Sequence, residues 1–221
     1  MTSHRKISLT AGLLYLLTFV SIPTLSLYGS VKGANFVTGG GSDVGAIVGA
    51  ILEVVVALAG IGTAVVLFPL LKRQSEGLAI GLVASRVLEA SAIFMGTAFL
   101  MTIVTLHRAH AGTDELGHAF SVLYDRTFLQ SQSFMPAIND FLLGLLLYKS
   151  RLVPRGLSLI GIVGAFPLLA GYAAIMFNIV DQHGSLAGAA ALLVAVFELS
   201  LGLWLVFKGF NSKAVAALES N

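Results

Sequence analysis

The sequence contains no cysteine, and only 11% of its 221 residues are charged. The absence of cysteine excludes disulfide bonds, thiolate metal sites and cysteine nucleophiles. Soluble domains are typically about 25% charged and about 45–50% apolar, whereas 57% of this chain is apolar and its mean hydropathy is +0.91. So few charges could not cover the surface of a soluble fold of this size. The composition therefore excludes a soluble enzyme and a disordered chain, and it predicts a protein of the lipid bilayer.

Surplus charge of either sign is also scarce. Thirteen Lys and Arg against eleven Asp and Glu give a net charge of +2, which is too small for the basic surface of a nucleic-acid-binding protein. The sequence also lacks the phosphate-binding loops, dinucleotide motifs and nucleophile elbows that mark common enzymes. We therefore expect neither a nucleic-acid partner nor a cofactor.

Long apolar runs are what the sequence has instead. A membrane-spanning helix needs about 20 mostly apolar residues. Six runs of suitable length occur, at residues 7–28, 44–71, 77–106, 127–148, 155–177 and 186–207. Because these runs are long and show no strand alternation, they predict helices. The predicted fold is all-α: a single polytopic domain over residues 1–221 with six transmembrane helices.

The distribution of basic residues predicts the orientation of these helices, because Lys and Arg concentrate in cytoplasmic loops. With a cytoplasmic N-terminus, only Lys32, Arg108 and Arg126 lie outside. Nine basic residues then lie on the cytoplasmic side, namely Arg5, Lys6, Lys72, Arg73, Lys149, Arg151, Arg155, Lys208 and Lys213. Aromatic residues fall near the predicted interfaces, as in an aromatic belt: Tyr28, Tyr124, Tyr148, Trp204 and Phe207. Both termini are therefore expected to be cytoplasmic.

Several short motifs are distributed over most of the chain. They are Arg5-Lys6 with Ala11-Gly12-Leu13-Leu14-Tyr15, Glu76-Gly77-Leu78-Ala79 with Gly81, Arg86-x-x-Glu89, Tyr148-Lys149-Ser150-Arg151-Leu152-Val153-Pro154-Arg155 with Leu157-Ser158, Glu198, Leu203-Trp204-Leu205 and Lys208-Gly209-Phe210-Asn211. With these motifs the chain resembles a bacterial multi-pass membrane family catalogued as domain of unknown function four-three-eight-six. The resemblance implies a six-helix protein of the bacterial cytoplasmic (inner) membrane, and it implies no particular activity.

Five ionisable residues lie inside the predicted spans, where a charge costs about 2.5–3.5 kcal/mol at a helix centre. They are Glu53, Arg86, Glu89, Asp140 and Glu198. With a rise of about 1.5 Å per residue, the last four lie at similar depth near the middle of the bilayer, and Glu53 lies closer to the outside. Arg86 and Glu89 are three residues apart and can pair along one helix. Glu53, Glu89 and Glu198 each continue a row of small residues, which predicts that they face the bundle.

The fourth predicted span carries a polar face. Gln132, Ser133, Pro136, Asn139 and Asp140 recur at helical spacing. Pro136 cannot donate a hydrogen bond to the carbonyl of Gln132, so it is expected to kink the helix. A polar face at membrane depth is tolerated where it lines water or packs against protein. The candidate substrate- or ion-binding residues are therefore Glu53, Arg86, Glu89, Gln132, Asn139, Asp140 and Glu198.

The surplus of acids over bases inside the spans leads to three hypotheses. If Arg86 neutralises one of the four carboxylates, three remain without a cation, and such groups take up a proton or bind a cation. The first hypothesis is proton-linked transport or conduction of a small solute or cation. In the second, the acids only fix helix packing in a non-transporting interaction or sensor protein. The third is a membrane-embedded enzyme for a lipid or isoprenoid substrate, although no histidine lies inside a span to act as its base.

Four of the five histidines fall on the predicted outer side: His107, His110, His118 and His183. Imidazole nitrogens bind zinc and copper, so these four residues form a candidate metal site. Two alternatives remain open. Histidine titrates near neutral pH and could act as a pH sensor, and the residues could belong to an ordinary solvated loop.

Glycines four residues apart occur in three pairs: Gly45 and Gly49, Gly77 and Gly81, and Gly184 and Gly188. Small residues at this spacing let membrane helices approach each other closely. The pairs fit contacts within one chain or between copies in a homo-oligomer. The expected partners are therefore the lipid bilayer, a small solute, cation or proton, and a second copy of the chain.

Overall fold

The computed structural model describes residues 2–220, apart from the side chain of Leu25. Over these residues the chain forms ten α-helices and no strand. In chain order they are α1 (Ser3–Thr18), α2 (Thr24–Leu27), α3 (Phe36–Gly39), α4 (Val44–Leu71), α5 (Glu76–Arg108), α6 (Asp114–Leu129), α7 (Met135–Ser150), α8 (Arg155–Met176), α9 (Ser185–Phe207) and α10 (Ser212–Glu219). A 3-10 turn (Phe19–Ser21) follows α1, and a π-helical turn (Gln130–Phe134) joins α6 to α7.

Four of these helices, α4, α5, α8 and α9, are long and apolar enough to cross a membrane. Their bounds closely follow the second, third, fifth and sixth predicted spans. In the most apolar stretches of α4 and α5, 50% of the residues are buried inside the protein, against 28% in α8 and α9. Helices α8 and α9 therefore present more of their apolar surface outward, which is consistent with a membrane protein.

The first predicted span, residues 7–28, is not a single helix. Helix α1 ends at Thr18, whose hydroxyl donates to the carbonyl oxygen of Tyr15 (2.7 Å), and α2 begins only after Pro23. Proline has no N–H and cannot continue a helical hydrogen-bond ladder. With 16 residues, α1 is about 24 Å long, shorter than the roughly 30 Å hydrocarbon core of a bilayer.

The fourth predicted span, residues 127–148, contains the π-helical turn. The residues on both sides of the turn keep right-handed helical backbone angles, so α6 runs into α7 without a loop. The N–H of Met135 bonds to the carbonyl of Gln130, five residues back. This wider turn comes just before Pro136, which has no N–H to donate to the series of α-helical hydrogen bonds. The disturbance that Pro136 predicts is therefore a π turn that precedes it.

The long helices close into a ring. Helix α1 packs on α4 and α9, α4 packs on α5, α5 packs on α6 and α7, and α8 packs between α7 and α9. Where α1 meets α9 and closes the ring, glycine lets the backbones of the two helices approach closely. A Cβ atom on Gly12 of α1 would lie 2.8 Å from the carbonyl oxygen of Gly202 in α9. The chain's first and last long helices thus meet, and side chains from several helices project into the space between them.

Most of the basic residues gather at one end of the ring, where α4, α7 and α9 end. Arg5 joins α1 to α9 there by donating to the carbonyl oxygens of Leu205 (2.9 Å) and Val206. The backbone N–H of Asn211 donates to the carbonyl of Leu152 (2.9 Å). Helix α10 packs on the same hydrophobic core. We refer to this region as the basic end.

At the opposite end, Asp114 fixes the segment that precedes α4. Its carboxylate accepts hydrogen bonds from the N–H groups of Val37 (3.0 Å) and Thr38 (3.1 Å) and from the Thr38 hydroxyl. The hydrogen bond from the Thr38 side chain lowers the pKa of Asp114. Since the folded pKa lies below the unfolded value, this anchor contributes stability above the ordinary aspartate pKa of about 3.9. The contribution is lost as the pH falls through the lowered folded value.

The predicted glycine pairs have different surroundings. A Cβ atom on Gly49 would lie 2.5 Å from the Tyr28 ring, and one on Gly45 would lie 2.6 Å from the carbonyl oxygen of Leu27. This pair therefore serves contacts within the chain. Among residues 2–220, no atom beyond the local helix backbone and the chain neighbours lies within 4 Å of a Cβ built on Gly77 or Gly188. These two positions have space for contact with a second copy.

Gly12→Ala is expected to destabilise the protein by about 1–3 kcal/mol, because the added methyl group overpacks the contact between α1 and α9. Gly188→Ala is the matched control. It adds the same group where nothing lies within 4 Å, and it should be neutral or stabilising by up to about 1 kcal/mol. Unfolding in detergent, followed by circular dichroism, compares the two variants. Equal stability would contradict the close approach at Gly12.

Candidate functional site

Arg86 of α5 lies in the middle of the ring, and its side chain is only 4% exposed. Its guanidinium donates to Glu89 Oε2 on the same helix (2.9 Å) and to Glu198 Oε1 on α9 (2.9 Å). The Tyr15 hydroxyl of α1 lies 3.3 Å from Arg86 Nη2, and the Tyr15 ring centroid lies 5.6 Å from the guanidinium carbon. One buried cation therefore connects α1, α5 and α9.

The pair of Arg86 and Glu89 follows from the helical spacing of the two residues, as the sequence predicted. Gly60 on the neighbouring helix α4 faces this pair. A Cβ atom there would lie 3.7 Å from Glu89 Oε2 and 3.9 Å from Arg86 Nη1, which is ordinary van der Waals contact. The ion pair therefore packs directly against the backbone side of α4 at this position.

Asn139 brings α7 into the same network. Its side-chain nitrogen donates to Glu89 Oε2 (2.9 Å), and its side-chain oxygen accepts a hydrogen bond from the Ser85 hydroxyl. Glu89 Oε2 thus receives hydrogen bonds from both Arg86 and Asn139. Asn139 is fully buried. The network therefore ties four helices of the ring together, α1, α5, α7 and α9.

Asp140 differs from the other acids of this region. It is fully buried, yet neither of its carboxylate oxygens has a hydrogen-bond partner within residues 2–220. Buried polar side chains almost always have a partner, and an exception needs an explanation. Asp140 follows directly after Asn139, so this unpartnered group lies next to the network.

A cavity of about 220 Å³ borders the network. Arg86, Glu89 and Glu198 form its charged wall, and Gln132 and Pro136 of the polar face also line it. The other lining residues, most of them apolar, are Thr18, Phe19, Ser21, Ile22, Val56, Gly60, Leu168, Ala191, Val194 and Ala195. Two carboxylates and one guanidinium face this space. The arrangement can therefore hold a small solute or ion that carries positive charge.

Glu53 lies outside this network, although the sequence grouped it with the other acids. Its Oε1 accepts a hydrogen bond from the Tyr124 hydroxyl of α6 (2.6 Å). The Tyr124 ring packs edge-to-face on Tyr28, with ring centroids 5.3 Å apart. Glu53 is thus held by Tyr124 in another part of the ring, and it does not line the cavity beside Arg86.

The four outer histidines do not come together in the structure. Across residues 2–220, no group of three or more His, Asp or Glu side chains is arranged to hold a metal ion. His107 instead packs on Phe36, with ring centroids 4.6 Å apart, and its Nδ1 lies 3.4 Å from the carbonyl oxygen of Val37. The predicted metal site of His107, His110, His118 and His183 is therefore not supported by the structure, in which these residues lie on different helices and connecting segments.

Sequence reasoning did not find two members of the network, Tyr15 and Ser85. Each is a single polar residue in an apolar helix, so helical periodicity alone does not distinguish it from residues of the core. The prediction of one continuous helix over residues 7–28 also gives no reason to single out Thr18 and Ser21, which line the cavity. The only available signals were the motif around Tyr15 and the position of Ser85 beside Arg86.

A family model described as Domain of unknown function (DUF4386) matches residues 10–209. The chain belongs to this family. The matched region contains the whole network, from Tyr15 to Glu198. No curated protein and no solved structure matches the chain. Membership in DUF4386 carries no assigned activity, so the function has to be inferred from the site.

Arg86→Gln in this DUF4386 protein is expected to lower the free energy of unfolding by about 3–5 kcal/mol, because it leaves Glu89 and Glu198 buried without their cation. Arg108→Gln provides a control on the same helix. Arg108 pairs with Asp43 (2.6 Å), but its side chain is 60% exposed, so its loss should change stability little. Unfolding in detergent measures both variants, and similar losses would argue against the central role of Arg86.

Proposed function

We propose that the protein carries or conducts a small cation or cationic solute across the membrane through the cavity beside Arg86. The observation that carries the proposal is the charge balance at the cavity wall, where two carboxylates share one arginine. Because the carboxylates outnumber the guanidinium, the site favours a positively charged guest. Its small volume, about 220 Å³, limits that guest to an ion or a small molecule.

Free carboxylate oxygens support the proposal. Arg86 bonds to only one oxygen of each acid, and neither Glu89 Oε1 nor Glu198 Oε2 makes a hydrogen bond within residues 2–220. The Glu198 side chain is 16% exposed, against 10% for Glu89 and 4% for Arg86. Glu198 is therefore the first of the three that an entering cation would meet.

The proposal assigns the proton link to Asp140. An ionised carboxylate without partners is so costly in a buried site that the group is neutralised by a proton. Asp140 follows Asn139, which donates a hydrogen bond to Glu89. A change of charge at the cavity wall therefore changes the electrostatic potential at Asp140. Entry or exit of a cation would thus be coupled to the release or uptake of a proton at Asp140.

The membrane arrangement that goes with this proposal has six spans, with both termini in the cytoplasm of a bacterium. The four long apolar helices support it, as does the packing of α1 and of the α6–α7 helix into the same ring. The gathering of basic residues at one end fits a cytoplasmic location for that end.

A second candidate function has its own supporting observation. Glu53 is bonded by Tyr124, and Glu89 Oε2 is bonded by both Arg86 and Asn139. Acids with such partners also fix helix packing, as expected of a sensor or interaction protein that transports nothing. This candidate predicts that the purified protein moves no ion.

Flux in proteoliposomes distinguishes the two candidates. The vesicles contain a pH-sensitive dye, and valinomycin sets a K⁺ diffusion potential across their membrane. The dye reports proton movement when Na⁺ or tetramethylammonium is present outside. We expect flux above that of empty vesicles, and we expect Glu198→Gln and Asp140→Asn each to reduce it by about tenfold or more, which corresponds to about 1.4 kcal/mol. The pH dependence should change in Asp140→Asn.

Glu53→Gln is the matched control for this experiment, since it removes a buried acid that does not line the cavity. Its flux should stay within about twofold of the wild type, a change of less than about 0.5 kcal/mol. Wild-type rates and pH dependence in both test variants would contradict the assigned roles. An absence of flux in the wild-type protein would favour the packing function.

A further inference from the structure

A second cavity, of about 500 Å³, lies at the basic end of the ring. It is formed where α7 ends, α8 begins and α9 ends. It shares no lining residue with the cavity beside Arg86. Whatever it binds is therefore held by a different set of side chains from those of the proposed transport site.

The wall of this second cavity carries three cations and no carboxylate side chain. The cations are Arg151, Arg155 and Lys208. Within residues 2–220 none of them forms an ion pair. The Arg155 guanidinium lies 5.0 Å from the centroid of the Tyr148 ring instead. The positive charge of the cavity is thus not neutralised by the protein.

The backbone places Arg151 and Arg155 at the ends of two successive helices. Arg151 caps α7 in the left-handed conformation (φ 57°), a position that favours glycine. Arg155 is the first residue of α8, and no side chain caps that helix. The first backbone N–H groups of a long helix favour an anion. The C-terminal ends of α7 and α9 at the same cavity carry partial negative charge, so the positive potential comes mainly from the side chains of Arg151, Arg155 and Lys208.

Aromatic side chains line the same cavity. Trp204 and Phe210 belong to its wall, and the Trp204 indole N–H donates to the carbonyl of Gly209 (3.1 Å), which fixes the ring. Tryptophan, tyrosine and basic side chains together are typical of the level of lipid headgroups. The cavity adjoins the ends of α8 and α9, two helices that are apolar enough to cross a membrane.

We propose that this second cavity binds the phosphate group of an anionic phospholipid. Guanidinium groups bind phosphate oxygens bidentately, and basic pockets at the ends of membrane helices suit acidic headgroups. The aromatic wall suits the glycerol and the first part of the acyl chains, which a free phosphate ion lacks. The inference rests on the membrane placement in the proposed function and is independent of transport.

Trp204 provides a direct test, because it is the only tryptophan of the chain. The protein is reconstituted in phosphatidylcholine vesicles that contain a fixed minor fraction of phosphatidylglycerol. Bromine, which quenches tryptophan fluorescence on contact, is placed on the acyl chains of either lipid at the same mole fraction. We expect stronger quenching of Trp204 when phosphatidylglycerol carries the bromine, because that lipid occupies the cavity.

The test variant is Arg155→Gln combined with Lys208→Gln. The double variant removes two charged groups that would bind the phosphate directly, and hydrogen bonds to charged groups are the strong ones, so the preference for phosphatidylglycerol should fall by about tenfold or more. The control, Lys72→Gln with Arg73→Gln, removes the same charge at the same end, and neither residue lines the cavity. It should keep the preference, as should Arg155→Lys with Lys208→Arg. Circular dichroism checks that all variants are folded.

Two results would overturn the proposal. An equal loss of preference in the test and control variants would mean that lipid attraction belongs to the whole basic end. A change of Trp204 emission on adding inorganic phosphate in pure phosphatidylcholine, without any preference for phosphatidylglycerol, would assign the cavity to a soluble phosphate. Because no step of this experiment depends on flux, its failure is distinguishable from failure of the transport proposal.

Discussion

The buried guanidinium of Arg86 is the interaction on which the rest of the structure depends. It joins Glu89 on its own helix to Glu198 on α9 and to Tyr15 on α1, and Asn139 adds α7 through Glu89. Charges buried in a low-dielectric interior persist only when they are paired and hydrogen-bonded. Helices α1, α5, α7 and α9 therefore cannot slide or rotate past one another without breaking hydrogen bonds to a buried charge, so the network sets their register.

The same constraint shapes the wall of the central cavity. Arg86 bonds to one oxygen of each glutamate, both glutamates line the cavity, and no other cation within residues 2–220 lines it. At the basic end the balance is reversed, since Arg151, Arg155 and Lys208 line a cavity without a carboxylate side chain. The chain thus separates its few charges into an acidic centre and a cationic end. This separation fits a positively charged guest in the middle and negatively charged headgroups at one surface.

Much of this fold could be predicted from sequence because apolar runs determine helices directly. Helices α4, α5, α8 and α9 follow from their runs, and the pairing of Arg86 with Glu89 follows from helical spacing. The break after Thr18 was not predicted, because apolar residues continue on both sides of it. A disturbance at Pro136 was predicted, but hydropathy and spacing do not show that it takes the form of a π turn. The partnership of Arg86 with Glu198, 112 residues apart, depends on how the helices are arranged. The separation of Glu53 from the other acids agrees with its predicted depth closer to the outside, but its hydrogen bond from Tyr124 depends on how the helices are arranged.

A double-mutant cycle on Arg86 and Glu198 tests the central claim most directly. The free energy of unfolding in detergent is measured for the wild type, Arg86→Gln, Glu198→Gln and the double variant. If the two side chains form a buried pair, their effects are coupled by about 0.5–3 kcal/mol, and the double variant is more stable than the sum of the single losses implies. Single losses that add to within about 0.3–0.5 kcal/mol would show that Arg86 does not hold α9, and this would contradict the account.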